Sequence, residues 1–249
     1  MIGHIRRHKR LYITLAVILA LLLVTVIAFA VYINDYYAAD EVAIEAFSFG
    51  ESIRVGETEE GYLVFHPEGE ARHGLIFYPG GKVEHTAYKP LMRALAERGI
   101  LCVLVEMPFR LAVLDINAAE DIPSQFPEVS SWYMCGHSLG GSMAASHLKD
   151  SENRYVGLVL LAAYSTEDLT DGHLAVLSIR GSEDGVLNME DYEKNKENLP
   201  SIYTEYVIPG GNHAFFGTYG AQEGDGSATL TNEEQITMTA KAIAAFIFG

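Results

Sequence analysis

The stretch Gly136-His137-Ser138-Leu139-Gly140-Gly141 places a serine between glycines where a strand is expected to give way to a helix. The apolar run 132–135 precedes it, and the helix-forming stretch 142–148 follows it. A turn this tight has no room for side chains at positions 136 and 140. It exposes the serine at a helix N-terminus, where the helix dipole favours negative charge. The pattern predicts that Ser138 is a nucleophile; the alternative is a glycine-rich helix start whose serine has no chemical role.

The elements that must position this serine are apolar runs alternating with helical patterns. Most runs are continuously apolar, as is typical of strands covered on both faces. The helical pattern Thr86–Arg98 ends at Gly99, and a second begins at Thr231-Asn232-Glu233-Glu234, which has the form of a capping box. This alternation predicts one α/β domain with a mostly parallel sheet and crossover helices. The predicted strands are 62–65, 75–78, 100–106, 132–135, 156–163, 175–180 and 203–208.

Together with this order of elements, the turn at Ser138 resembles the α/β-hydrolase superfamily over residues 60–248. The stretches Tyr78–Val83, Gly181–Gly185 and Gly210–His213 resemble, more narrowly, the small lidless hydrolases related to dienelactone hydrolase. The resemblance implies the α/β-hydrolase fold, with helices on both faces of the sheet. Dienelactone hydrolase has cysteine where this chain has Ser138, and the difference favours ordinary carboxylic esters cleaved through an acyl-enzyme.

A serine hydroxyl becomes a good nucleophile only beside a base that an acid orients. The resemblance implies the chain order serine, acid, histidine, which points to Asp184 and then His213. Glu183 is the next candidate acid, and Asp168 and Asp171 are more distant ones. Nine histidines compete for the base, and His213 is favoured because a loop after the last strand can carry its imidazole to Ser138.

An oxyanion hole requires backbone N–H groups aimed at the reacting carbonyl oxygen. The resemblance implies the N–H groups of Leu139 and Gly81, with Lys82 as the alternative to Gly81. Lys82, His85 and Phe215 are the candidates for substrate binding, although the aromatic residues after His213 can equally pack their loop against the domain. Only ten residues, Tyr164–His173, lie where relatives insert a lid, which predicts an open site.

Residues 11–33 contain no charged residue, proline or glycine. As a helix they would be roughly 35 Å long, enough to cross an apolar layer of about 30 Å. The basic residues before them (Arg6, Arg7, Lys9 and Arg10) predict a cytoplasmic N-terminus and an extracellular catalytic domain. The alternative is a signal peptide cleaved after Ala28-Phe29-Ala30, which would release a secreted protein. The predicted organisation is a basic tail (1–10), a single-pass transmembrane signal anchor (11–33), a stalk (34–50) and a hydrolase domain (51–249).

Composition narrows the possible partners of this 249-residue chain. Hydrophobic residues make up 49% and charged residues 20%, which excludes a disordered chain. The net charge of −16 argues against nucleic acid as a partner. The sequence contains no metal-binding pattern, phosphate loop or dinucleotide fingerprint, so no cofactor is expected.

The sequence thus predicts a membrane-anchored serine esterase acting on a small ester. An acyltransferase, an amidase or a non-catalytic binding domain of the same fold stay as alternatives, and the oligomeric state stays open. In this fold the third strand separates the fourth from the fifth, which places Cys102 and Cys135 about two strand spacings of ~4.8 Å apart. That distance exceeds the ~7 Å Cα limit for a disulfide, so both are predicted to be free thiols.

Overall fold

The computed structural model describes residues 2–47, 53–151 and 154–249, with side chains from residue 11 onward. The side chains of the predicted basic tail and residues 48–50 of the predicted stalk lie outside this description. The chain divides into two compact units, one reaching Tyr36 and the other comprising Tyr37–Gly249. The first unit is the helix α1 (Ile2–Asn34). Within α1, Leu11–Asn34 is long and apolar enough to cross a membrane, a property that signal sequences share.

The second unit is built around a sheet that has eight strands within the described residues. The strands are β1 (Arg54–Glu57), β2 (Leu63–His66), β3 (His73–Tyr78), β4 (Ile100–Leu104), β5 (Ser131–His137), β6 (Gly157–Leu161), β7 (Ala175–Gly181) and β8 (Tyr203–Ile208). Their order in the sheet is β1-β2-β4-β3-β5-β6-β7-β8, antiparallel at β1/β2 and β2/β4 and parallel elsewhere. The predicted α/β-hydrolase fold with a mostly parallel sheet is confirmed. The exposed edge strand β1 was not predicted because it lacks an apolar run.

Helices cover both faces of this sheet. The predicted helix Thr86–Arg98 is divided into a 3₁₀ turn, His85–Tyr88, and α3 (Lys89–Ala96). Pro90 lies in the first turn of α3, where its missing N–H costs nothing. The predicted capping box at Thr231 is present and starts α7 (Asn232–Phe248). The other helices of this unit among the described residues are α2 (Glu41–Ala46), α4 (Ile122–Gln125), α5 (Leu139–Ser151) and α6 (Met189–Lys194), with 3₁₀ turns at Pro108–Arg110, Ala112–Leu114, Asn195–Asn198 and Ala214–Phe216.

The two faces of the sheet bury separate apolar cores. Along β3, Leu75 and Phe77 face the core that contains α3 and α7, whereas Ile76 and Tyr78 face the core that contains part of α5. This alternation follows from the two-residue period of a strand. Because both faces are covered, polar loops reach the sheet only at its ends. The carboxyl ends of the parallel strands are therefore the natural place for a site.

Part of the segment predicted as a stalk is attached to the domain. Tyr37 forms a parallel bridge with Val83, and its N–H donates to the Lys82 carbonyl at 2.8 Å. The N–H of Asp40 donates to the Thr218 carbonyl at 2.9 Å. The sequence predicts a stalk over 34–50, but in the structure Tyr37–Phe47 belongs to the same compact unit as the sheet. The sequence gives no sign of this attachment, because main-chain pairing leaves no apolar pattern.

Cys102 and Cys135 are buried and unpaired, as predicted. Strand β3 separates them, with Leu75 opposite Cys102 and Phe77 opposite Cys135. Burial raises the pKa of both thiols, so the reactive thiolate is scarce at neutral pH.

We expect neither thiol to react with Ellman's reagent in the folded protein, and both to react in guanidinium chloride under non-reducing conditions. Absorbance at 412 nm measures the number of thiols per chain. Fewer than two reactive thiols in denaturant would indicate a disulfide and contradict the strand order.

Candidate active site

Ser138 lies between the end of β5 and the start of α5 in a backbone conformation that L-residues rarely adopt. Its φ is 51°, and its N–H donates to the Leu161 carbonyl at 2.9 Å. A Cβ on Gly136 would lie 2.5 Å from the Gly140 carbonyl carbon, and one on Gly140 would lie 2.2 Å from the Pro79 carbonyl oxygen. The predicted requirement for glycine at both positions is confirmed. A side chain at position 141 is excluded in the same way, since a Cβ on Gly141 would lie 2.5 Å from Cβ of Ala163.

Asp184 and His213 form a buried pair on the loops that follow β7 and β8. Nδ1 of His213 lies 2.9 Å from Oδ2 and 3.1 Å from Oδ1 of Asp184, and the two side chains are 1% and 2% exposed. The N–H groups of Val186 and Leu187 also donate to Oδ1, at 2.9 and 2.8 Å, which fixes the carboxylate. A proton on Nδ1 leaves Nε2 of the neutral ring as an acceptor. Nε2 is buried and has no hydrogen-bond partner among the described residues.

A pocket of about 270 Å³ joins the serine to this pair. Its wall comes from the start of α5, the loop after β6, the loop after Asp184 and the imidazole of His213. The structure thus places Ser138 and His213 around one pocket, with Asp184 behind the imidazole. The lining residues are Ser138, Leu139, Ser142, Ala162, Ala163, Tyr164, Val186, Leu187, Asn188 and His213.

The two predicted oxyanion donors lie next to each other. Leu139 is the first residue of α5, where the N–H has no partner within the helix. Gly81 packs on Leu139, because a Cβ on Gly81 would lie 2.9 Å from Cδ2 of that leucine. The N–H of Lys82 is taken by the Arg110 carbonyl at 2.9 Å, and that of Gly80 by the Tyr88 hydroxyl at 3.1 Å. Within this loop, the geometry therefore favours Gly81 over Lys82 as the donor.

The residues proposed for substrate binding do not line the pocket. Lys82 has a φ of 60° in the loop that follows β3, and Phe215 packs against the core that contains α7. His85 faces Glu106, with Nδ1 4.0 Å from Oε1, and burial lowers the pKa of His85. Each of the three lies near the site in sequence. Apart from Ser138, Leu139 and His213, the pocket is lined by residues that the sequence did not single out as site residues, such as Ala162 and Val186.

The other candidate acids make separate contacts. Glu183 accepts the Ser182 hydroxyl proton at 2.8 Å, and Asp168 accepts the N–H and O–H of Thr170. Among the described carboxylates, only that of Asp184 is hydrogen-bonded to the ring of His213.

A second buried imidazole, His137, packs against His213 and was not predicted to contribute. Their ring centroids are 4.5 Å apart. Nδ1 of His137 lies 2.8 Å from the Tyr88 hydroxyl, which accepts the Gly80 N–H. Burial lowers the pKa of His137 well below its ordinary value, so this ring is neutral at physiological pH. In the sequence, the one sign that His137 could belong to the site is its position next to Ser138. Its contact with the ring of His213 is visible only in the fold.

Comparisons with known proteins agree with this architecture. The family model described as the alpha/beta hydrolase family matches residues 74–237, more than half of the chain. The chain therefore belongs to the alpha/beta hydrolase family, and the resemblance seen in the sequence is confirmed. A search of the curated proteins finds no significant match.

Solved structures show the same fold at low sequence identity. Est1E from Butyrivibrio proteoclasticus with bound ferulic acid is 14% identical with a TM-score of 0.58, covering 80% of this chain and 96% of its own. Dienelactone hydrolase from Anabaena variabilis is 16% identical with a TM-score of 0.58, covering 80% and 98%. An esterase from Pyrobaculum calidifontis is 16% identical with a TM-score of 0.58, covering 84% and 89%.

We expect Gly140→Ala to destabilise the domain by more than about 3 kcal/mol, because the added methyl group meets main-chain oxygens that cannot move independently of β3. Urea denaturation measures the change in the free energy of unfolding. Gly56→Ala is the matched control, since its Cβ would make an ordinary 3.4 Å contact with His66. Equal stability of the two variants would contradict the close approach at Ser138.

Proposed function

We propose that this protein is a serine hydrolase that cleaves carboxylic esters through an acyl-enzyme. The observation that carries the proposal is the buried Asp184–His213 hydrogen bond, with His213 lining the same pocket as Ser138. The positive φ of Ser138 supports it, since strained backbone is characteristic of functional positions.

In the first half-reaction, Oγ of Ser138 attacks the ester carbonyl carbon while its proton passes to Nε2 of His213. Negative charge develops on the carbonyl oxygen, where the N–H groups of Gly81 and Leu139 can donate to it. The tetrahedral intermediate then expels the alcohol, which takes the proton from His213. Asp184 stabilises the imidazolium throughout. The products of this half are the free alcohol and Ser138 acylated on Oγ.

In the second half-reaction, water attacks the acyl carbon as His213 accepts a proton from it. The second tetrahedral intermediate releases the carboxylic acid and returns the proton to Oγ of Ser138. An alcohol in place of water would give acyl transfer by the same steps, and an amide substrate would release an amine. The modest pocket volume favours a small acyl group. Est1E, which has a similar fold, is known with bound ferulic acid, a small aromatic acid.

We expect Ser138→Ala to abolish labelling by a fluorophosphonate probe and to lower kcat for short p-nitrophenyl esters by at least about 10⁴-fold. His213→Ala should lower the labelling rate and kcat to a similar degree. Asp184→Asn should lower kcat by roughly 10³–10⁴-fold, since the amide favours the wrong tautomer of His213. Probe fluorescence in gels and initial rates measure these effects.

Glu183→Gln is the matched control, because it neutralises the adjacent carboxylate, which is exposed and bonded to Ser182. This variant should retain wild-type rates. Labelling of Ser138→Ala equal to that of the wild type would reject the proposal and leave a non-catalytic binding domain. Product formed only with an added alcohol or only from amides would favour the acyltransferase or amidase alternative.

We also propose that residues 11–33 anchor the protein in the cell membrane, with the N-terminus in the cytoplasm and the catalytic domain outside. The support is the length of the apolar helix and the basic residues before it. Unequal charge of this kind is what orients single membrane helices.

For the full chain expressed in bacteria, we expect an uncleaved protein that stays with the membranes after a carbonate wash. Protease added to intact spheroplasts should digest the domain. Cleavage after Ala30 would instead remove about 3 kDa and release the protein to the medium, as for a secreted enzyme. A chain without residues 1–33 is the control and should be soluble in the cytosol.

A further inference from the structure

The carboxylate of Asp225 joins the two loops that carry Asp184 and His213. Its Oδ1 accepts the N–H groups of Gly185 at 3.1 Å and of His213 at 3.2 Å. Its Oδ2 accepts the N–H of Ala214 at 2.8 Å, and Oδ1 also accepts the N–H of Gly226 at 2.8 Å. The Asp225 side chain therefore links Gly185, the residue after Asp184, to His213 and Ala214.

The segment Gly224-Asp225-Gly226 fits against the loop of Asp184 through backbone contacts. A Cβ on Gly226 would lie 1.9 Å from the Glu183 carbonyl oxygen, and one on Gly185 would lie 2.6 Å from the Gly224 carbonyl oxygen. The side-chain amide of Asn212 also donates to the Gly226 carbonyl at 3.0 Å. These contacts fix the position of Asp225 relative to both loops.

The need for such a link follows from the topology. Asp184 and His213 follow different strands, β7 and β8, and their hydrogen bond depends on how two separate loops lie. A partly buried carboxylate is stabilised by N–H donors, and a buried donor left without an acceptor destabilises the structure. Asp225 satisfies N–H groups from both loops at once, so a relative movement of the loops would break its bonds.

We infer that Asp225 is a positioning residue that holds His213 in reach of Asp184 and Ser138, an inference that rests on the proposed function. The carboxylate acts through main-chain N–H groups, and the bonds from the His213 ring go to Asp184. Its effect is therefore on the distance between the loops, which governs how well the imidazole is aligned for proton transfer. Misalignment of about 1 Å can lower a catalytic rate by roughly 100-fold.

The test compares Asp225→Ala and Asp225→Asn in the full chain, with Glu223→Gln as a control two residues away. The alanine variant should lower kcat for a p-nitrophenyl ester by about 10- to 100-fold, with KM within about threefold of the wild type. The asparagine variant retains one acceptor oxygen and should fall between alanine and the wild type. Titration with the fluorophosphonate probe gives kcat per active site, so that a smaller folded fraction does not count as slower chemistry.

A spectroscopic readout separates this inference from the proposed function. The Nδ1 proton of His213, assigned by its loss in His213→Ala, should give a downfield NMR signal in the wild type that broadens or shifts in Asp225→Ala. If that signal changes while the wild type has no Ser138-dependent activity, the positioning stands and the proposed function fails.

An Asp225→Ala variant with an unchanged signal and unchanged kcat per site would overturn the inference, even if its melting temperature falls. If the alanine variant does not fold, Asp225→Asn decides. Wild-type kcat and an unchanged signal in that variant would overturn the positioning role, and a lowered kcat with retained KM would support it.

Discussion

Backbone segments approach so closely around Ser138 that no side chain fits between them, and this constraint determines where the site can form. β3, β5 and the start of α5 meet where Gly136 and Gly140 face the main chain at distances that exclude a Cβ. The contact forces Ser138 into a positive φ. The same contact brings the loop after β3 beside the first turn of α5, so that Gly81 and Leu139 are neighbours. The positions of Ser138, the proposed nucleophile, and of Gly81 and Leu139, the proposed oxyanion donors, thus follow from one packing arrangement.

The parallel strands extend this arrangement across the sheet. β5, β6 and β7 are paired in register, which places the end of β7, and with it Asp184, near the end of β5. β8 then supplies His213 from the next position. The strands hold one another through the ladder of the sheet, whereas each loop beyond them needs contacts of its own. Asp184 fixes one loop locally by accepting the N–H groups of Val186 and Leu187. Asp225 adds a link between loops, which local contacts alone cannot provide.

The sequence was informative where the chemistry requires unusual residues. Local sequence patterns were enough to predict three features: the glycines around Ser138, the capping box at Thr231 and the apolar runs of the central strands. Each has a physical cause that acts between residues close together in the sequence. The pocket wall could not be predicted, because residues such as Ala162 and Val186 are ordinary until the fold brings them together. Asp225 was hidden for a different reason, since its glycine-rich surroundings resemble an unstructured loop. Its proposed role depends on contacts with His213, 12 residues earlier, and with the loop of Asp184, where Gly185 lies 40 residues earlier.

The packing of His137 against His213 shows how two adjacent imidazoles can have different properties. The Tyr88 hydroxyl accepts the Gly80 N–H, so its own proton is available to Nδ1 of His137. Complete burial keeps His137 uncharged, because an imidazolium without an anionic partner would be costly there. The ring of His213 instead has the Asp184 carboxylate 2.9 Å from Nδ1. The two adjacent imidazoles therefore differ in their partners, which are a carboxylate for His213 and a neutral hydroxyl group for His137.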